Sequence, residues 1–250
     1  MDTESGPYGP LDRALDAALG PLRSAGAPRV VLFSGGVDSG LLAWELRRSG
    51  NTVLFTVGLP PSADLARAAA AAPLVGLPWS SRRLDEPLLG EAEALVEHLL
   101  PDLPSARRSV LVALAAAMIA APPGRLVCGQ GADELFLGYA HFRGLSTEAA
   151  EVRSRADLQQ LLDRDAPALV ALAAEQGRQV DCPYLDRRFV EAAGAVPVEM
   201  RMPGVLPKGW FREFARHRGL PAALADAPKK AIQYGSGVAR WRRRRSAAAA

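Results

Sequence analysis

A chain of 250 residues with 49% apolar and 23% charged residues can bury one good core and has the balance of a globular protein rather than a disordered one. A formal net charge of +3 leaves the body close to neutral, and two cysteines distant in sequence argue against a disulfide framework or a zinc site. The longest apolar run, Val110 to Ala121, is too short to span a bilayer, and no secretion signal opens the chain, so the cytoplasm is the expected compartment.

In chain order, residues 1–9 are expected to be disordered. Residues 10–24 carry Leu11, Leu15, Ala18, Leu19 and Leu22 at helical spacing, which predicts a helix laid over a sheet. The β-branched run Arg29-Val30-Val31-Leu32-Phe33 reads as a strand. It runs into Ser34-Gly35-Gly36-Val37-Asp38-Ser39 and then an apolar segment, Gly40 to Leu46, so the pattern is strand, glycine turn, helix. A second strand is predicted over Thr52 to Val57, an Ala-rich helix over Ala63 to Ala72 and a third strand over Trp79 to Leu84. An amphipathic helix over Leu88 to Leu100 and a long Ala-rich one from Pro104 to Ala121 follow. Pro122-Pro123-Gly124 stops that helix before a short strand, Arg125 to Cys128, and the rest reads as helical and irregular. Strands alternating with helices predict an α/β fold, a parallel sheet with helices on both faces and a helical carboxy-terminal part. One domain is expected over residues 10–239, followed over 240–250 by a basic tail, Arg240-Trp241-Arg242-Arg243-Arg244-Arg245, read as disordered.

The loops after Phe33, Val57 and Cys128 all fall on the carboxyl edge of such a sheet, where ligands sit. In the first, two glycines bring backbone N–H groups close to a ligand, and the helix that follows favours an anion. Ser34 and Ser39 can donate to phosphate oxygens, whereas Asp38 faces phosphate only across a cation such as Mg²⁺. No Gly-Lys-Ser/Thr follows, so this is not the Walker A loop, nor is it the Gly-x-Gly-x-x-Gly turn of dinucleotide folds. The bland alternative is a Ser/Gly-rich turn with a capping side chain.

That loop resembles the pyrophosphatase loop of ATP-cleaving synthetases, which split ATP between its α and β phosphates. A second strand–turn–helix, Cys128-Gly129-Gln130-Gly131-Ala132-Asp133-Glu134-Leu135-Phe136-Leu137-Gly138-Tyr139, is similar to the ATP domain of the asparagine synthetase family. Further matches follow the family's order: Thr56 to Leu65, Asp181 to Phe189, Lys208-Gly209-Trp210-Phe211-Arg212-Glu213 and Lys229-Lys230-Ala231-Ile232-Gln233-Tyr234-Gly235-Ser236-Gly237. The resemblance implies ATP and Mg²⁺ as cofactors. Ser34, Gly35, Gly36, Asp38 and Ser39 would hold pyrophosphate, and Asp38 and Asp133 would hold the metal. The backbone at Val57 and Gly129 would meet adenosine. Lys230, with Lys229 as substitute, would stabilise charge at the α-phosphate. Arg107 matches a family arginine. Asp133 and Glu134 also have a simpler reading as helix-start acids, and Arg107 as a solvated residue.

The implied reaction is adenylation of a carboxylate, aspartate by resemblance, followed by acyl transfer to ammonia or another amine. Two departures qualify it. Gln130 stands where the family has Glu, and an amide cannot accept a proton as a base. No stretch of this sequence resembles the family's glutaminase domain, so a separate glutaminase subunit is expected as a possible partner. The alternatives are a tRNA-modifying enzyme using the basic tail, against which paired cysteines are lacking, and a nucleotide-binding subunit weakened by Gln130. The phosphate loop is expected at the solvent edge, so Asp38→Ala is expected to leave the fold intact.

Overall fold

The structure, a computed structural model, describes residues 6–24, 26–202, 204, 206–228 and 231–248. Five parallel strands form one sheet: β1 (Arg29–Leu32), β2 (Thr52–Gly58), β3 (Trp79–Arg83), β4 (Arg125–Val127) and β5 (Val180–Asp181), in the spatial order β3-β2-β1-β4-β5. Helices α1 (Gly9–Ser24), α2 (Val37–Leu46), α3 (Ala63–Val75), α4 (Glu86–Leu99) and α5 (Ser105–Ala120) alternate with the first four strands. The carboxy-terminal half adds α6 (Ala132–Leu135), α7 (Thr147–Gln160), α8 (Ala166–Glu175), α9 (Arg187–Gly194), α10 (Val198–Arg201) and α11 (Gly209–His217). Three more close the described chain: α12 (Ala222–Ala225), α13 (Ile232–Gly235) and α14 (Val238–Ala248).

Strand periodicity builds two cores. Val31 pairs in register with Leu54 on one side and Val127 on the other, and these three pack with α1, α2 and Phe211 on one face. One residue earlier, Val30 and Leu126 point to the opposite face, against Leu111, Leu114 and Leu169 of α5 and α8. Apolar burial on both faces is what parallel strands require. Among the described residues no helix is long and apolar enough to cross a membrane.

The sheet and its helical cover match the expected fold class, with four differences. Residues 6–9, expected to be disordered, form a turn that runs into α1, and Tyr8 packs on Trp210 with ring centroids 5.0 Å apart. β5 escaped the sequence reading because two residues carry no alternation. The Ala-rich helix runs past Pro73 to Val75, where its last turn needs few further hydrogen bonds. The basic segment is a helix rather than a disordered tail: Val238 and Trp241 of α14 are buried, and Trp241 Nε1 donates to Glu86 Oε1 at 2.6 Å.

β1 lies between β2 and β4, so the chain winds outward through β2 and β3 and then returns to the other side of β1. Such a reversal leaves a crevice at the carboxyl ends of the two strands, here β1 and β4.

Candidate active site

The turn after β1 is shaped by contacts within it and to α3, and Gly36 N donates to Ser34 Oγ at 3.4 Å. Gly36 caps α2 without a side-chain hydrogen bond, so no side chain competes for the helix's first donors. Gly35 has φ +71°, and a Cβ there would lie 2.9 Å from the backbone of Arg67 and Ala68. Arg67 Nε donates to the Ser34 carbonyl at 2.9 Å, which ties α3 to the turn. Ser39 Oγ accepts from Ser34 N at 3.1 Å, and the two serine hydroxyls are 3.3 Å apart.

The turn after β4 meets the first at Gly129, where a Cβ would sit 3.2 Å from Asp38 Cβ and 3.3 Å from Ser39 N. A side chain at this position would press the two loops apart by a few tenths of an ångström. The turn leads into α6, whose Asp133 reaches the same point as Asp38. Lys208 Nζ lies 2.7 Å from Asp38 Oδ1 and 2.6 Å from Asp133 Oδ1. Asp38 and Lys208 are almost wholly buried, with side chains 2% and 5% exposed. Two carboxylates converging on one cationic nitrogen are within bridging distance of a single cation. Hard oxygen donors of this kind suit Mg²⁺, which takes one or two carboxylates and completes its shell with phosphate and water. From below, Tyr184 Oη donates to the Asp38 carbonyl at 2.7 Å.

A cavity of about 390 Å³ opens from these loops. Ser34, Asp38, Ser39, Gly129, Gln130 and Asp133 from the two loops line it, together with Arg107 of α5. Of the remaining expected site residues, Gly35 and Gly36 complete the first loop. Val57 is buried at the end of β2 and is not part of the cavity wall. Lys229 and Lys230 lie outside the described residues.

Arg107 is not a solvated helix residue. It pairs with Asp165, and Gln160, with its amide oxygen turned inward, also accepts from it. Asp165 ends a five-residue π-helical turn, Leu161–Asp165, between α7 and α8. π-turns of this kind recur at functional sites because they re-aim side chains within an otherwise regular helix.

The sequence reading missed Lys208 and gave no role to Glu134. Lys208 stands at φ +61°, just ahead of α11, and that conformation aims its side chain inward. Its Lys-Gly-Trp segment was visible, but a buried lysine cannot be told from a surface one without the fold. Glu134 lines the cavity, accepts from Tyr139 Oη, and has a second carboxylate oxygen with no partner among the described residues. Burial first, then the neighbouring Asp133 charge, pushes its carboxyl up to about 7.

The sign of the resulting pH dependence follows from linkage. The native state binds the Glu134 proton more tightly than the unfolded chain does. This contribution is therefore complete below the ordinary value of 4.5 and is lost as pH rises through about 7. In metal-free protein, the stability difference between the native chain and Glu134→Gln should change by about 3 kcal/mol across that window, against the native chain at high pH. Urea denaturation at pH 5 and pH 8 checks this, and a constant difference would refute it.

The two cysteines are also nearer than their sequence separation suggests. They end adjacent strands, with Cys128 N donating to the Asp181 carbonyl at 2.8 Å. Contact with the Cys128 thiol, together with burial, pushes the Cys182 thiol well up, so it stays protonated.

The asparagine synthase family profile matches residues 11–181 and, in a second overlapping stretch, 145–250. The chain belongs to the asparagine synthase family. A putative glutamine-hydrolysing asparagine synthetase of Methanocaldococcus jannaschii is 28% identical over 271 aligned positions, covering 91% of this chain. The glutamine-hydrolysing asparagine synthetase of Mesocricetus auratus is 30% identical over 220 positions, covering 82% of it. This asparagine synthase family chain spans 49% of the length of the first relative and 39% of the second. Among solved structures, the NH₃-dependent NAD synthetase of Campylobacter jejuni aligns over 80% of this chain and 99% of its own. Its identity is 13% and its TM-score 0.38, a likeness too distant to bear on activity.

Proposed function

We propose that this member of the asparagine synthase family is an ATP-dependent, AMP-forming carbon–nitrogen ligase. One observation supports this most: Asp38 and Asp133, from two separate glycine turns, converge on a single cation-binding point at the crevice between β1 and β4. The substrate carboxylate would attack the α-phosphorus of ATP, so that one P–O bond forms as the bond to pyrophosphate breaks. Ammonia or another amine would then attack the acyl carbon, expelling AMP and losing a proton. Aspartate is the carboxylate in this reading, asparagine its product, and the cytoplasm its setting.

Mg²⁺, held by Asp38 and Asp133, would neutralise the β and γ phosphates. Ser34, Ser39 and the N–H groups of the first turn would fix the pyrophosphate unit, leaving the α-phosphorus open for in-line attack. Lys208, released from the two carboxylates by the metal, would face the departing charge. The cavity beyond Gln130 would hold carboxylate and amine together, so that proximity supplies much of the second step.

Binding should therefore require Mg²⁺ and favour ATP over GTP. Calorimetric titration with and without the metal checks this, and metal-independent binding or equal affinity for GTP would count against the assignment. Turnover should yield AMP and pyrophosphate. Chromatography of the products decides it, with ADP as the main product being the adverse result.

A second reading, RNA modification by sulfur transfer, gains from the proximity of Cys128 and Cys182, which removes the objection that paired cysteines are lacking. The burial of Cys128 and the raised Cys182 value weigh against it, since the thiolate is the reactive form.

A further inference from the structure

The arginine run is divided by the helix it forms. Positions 238, 241 and 242 face inward, and Arg245 is exposed. Val238 and Trp241 are buried, and Arg242 Nε donates to Glu93 Oε1 at 2.9 Å. Arg242 also donates to the Ser105 carbonyl at 2.8 Å, and Arg245 stands 3.7 Å from Glu93. These anchors leave Arg240, Arg243 and Arg244 on the outer face, exposed and without an ion-pair partner among the described residues. Arg240, Arg244 and Arg245 join Trp241, Glu86, Leu59 and Pro60 around a hollow of about 400 Å³, separate from the ATP cavity, and Glu86 there is held by Trp241 Nε1.

The hollow lies on the sheet edge that carries the chemistry. Leu59 follows β2, and its N–H donates to the Ser236 carbonyl at 2.8 Å, joining the β2 exit to the turn ahead of α14. That turn is preceded by α13, whose Ile232 and Gln233 line the ATP cavity while the next residue, Tyr234, is 58% exposed. A large aromatic ring in solvent thus stands in the same short stretch as three unpaired guanidinium groups.

We infer that the outer face of α14, with Tyr234, is a contact surface for a single-stranded polynucleotide. Arginines supply phosphate contacts, and an exposed aromatic ring supplies a stacking platform that any base can use. The other polyanionic partners fit less well. The outer face of α14 has no large apolar residue to enter a bilayer. A protein interface centres on apolar anchors with few charges, the reverse of what α14 presents. The surface adjoins the ATP cavity through α13, so a bound strand would lie beside the reacting groups.

Fluorescence anisotropy of the full chain with a short labelled RNA strand of mixed sequence tests this, with a DNA strand of the same sequence to read any sugar preference. Affinity for at least one strand should fall with salt at a slope of about −2 on a log–log plot, as three phosphate contacts to a single strand require. Arg240→Glu/Arg243→Glu/Arg244→Glu should weaken binding at least about tenfold and flatten that slope. Tyr234→Ala should weaken it about fivefold or more while leaving the slope unchanged, which a purely ionic surface would not show. None of the four residues lines the ATP cavity, so calorimetric ATP affinity should stay constant and report intact folding. Equal displacement by polyglutamate of matched charge would overturn the inference in favour of an acidic protein partner. No binding of either strand, or an unchanged affinity in the triple variant, would also overturn it.

Discussion

Replacing Asp38 by Asn is expected to cost the protein its turnover and about 3 kcal/mol of stability together. Asp38 would leave the solvent edge in name only: its side chain is 2% exposed and its partner Lys208 5% exposed. Removing one member of a buried ion pair typically costs about 3–5 kcal/mol, because the other charge is left in a poorly solvating interior. Here Asp133 still holds Lys208 Nζ at 2.6 Å, which places the cost at the lower end. The expectation that this carboxylate could be removed without disturbing the fold is therefore corrected by its burial. Pyrophosphate release should fall by about 10²–10³-fold, the usual effect of deleting one electrostatic contact to a transition state. The Lys208→Met chain should be destabilised as well, since Asp38 and Asp133 would lose the ammonium they share. Combining both changes should cost less than their sum, since contacting residues are coupled. Urea midpoints for the three variants measure this. Strict additivity would mean that the pair does not form in solution.

Gln130→Glu should raise ammonium-dependent amide formation. A positioned general base contributes about 10²–10⁴-fold, with the lower end expected in a site already adapted to an amide. Gln130 lines the cavity beside Glu134, so a restored carboxylate would reach the same space as the bound acyl group. Glutamine should not replace ammonium, because Cys128 is buried and the Cys182 thiol is held protonated, and the thiolate is the nucleophilic form. Amide yield against ammonium concentration, with pyrophosphate followed in parallel, separates the possibilities. A faster native chain would make Gln130 an adapted residue. No pyrophosphate from either form with any carboxylate would favour the nucleotide-binding subunit.

The sheet was legible where local chemistry and tertiary burial agree. Val30-Val31-Leu32 and Thr52 to Val57 are β-branched or apolar throughout and are buried on both faces, so composition alone marks them as parallel strands. The two glycine loops were legible because Gly35, Gly129 and their acidic neighbours follow strand ends. Long-range pairing was not. β5 exists because Leu126 and Val127 present an edge to Val180 and Asp181, which nothing in those two residues announces. The role of Lys208 depends on a backbone conformation that lysine seldom adopts and on carboxylates 75 and 170 residues away. The arginine run was misread for a related reason. Its charge suggested solvent, but Trp241 and Val238, at helical spacing, decide where the segment goes.

The π-turn at Leu161–Asp165 makes the far wall of the cavity dependent on a single residue of chain length. A π-turn inserts about one residue into an α-helix, and each residue of α-helix advances the rotation by about 100°. Deleting one residue within it would turn the side chains on one side of the deletion by about that angle relative to those on the other. Asp165 would then no longer meet Arg107 without a compensating shift of α7 or α5. Relatives with and without this extra residue should divide into two groups by the acids they accept, a boundary drawn by an insertion rather than by any substitution.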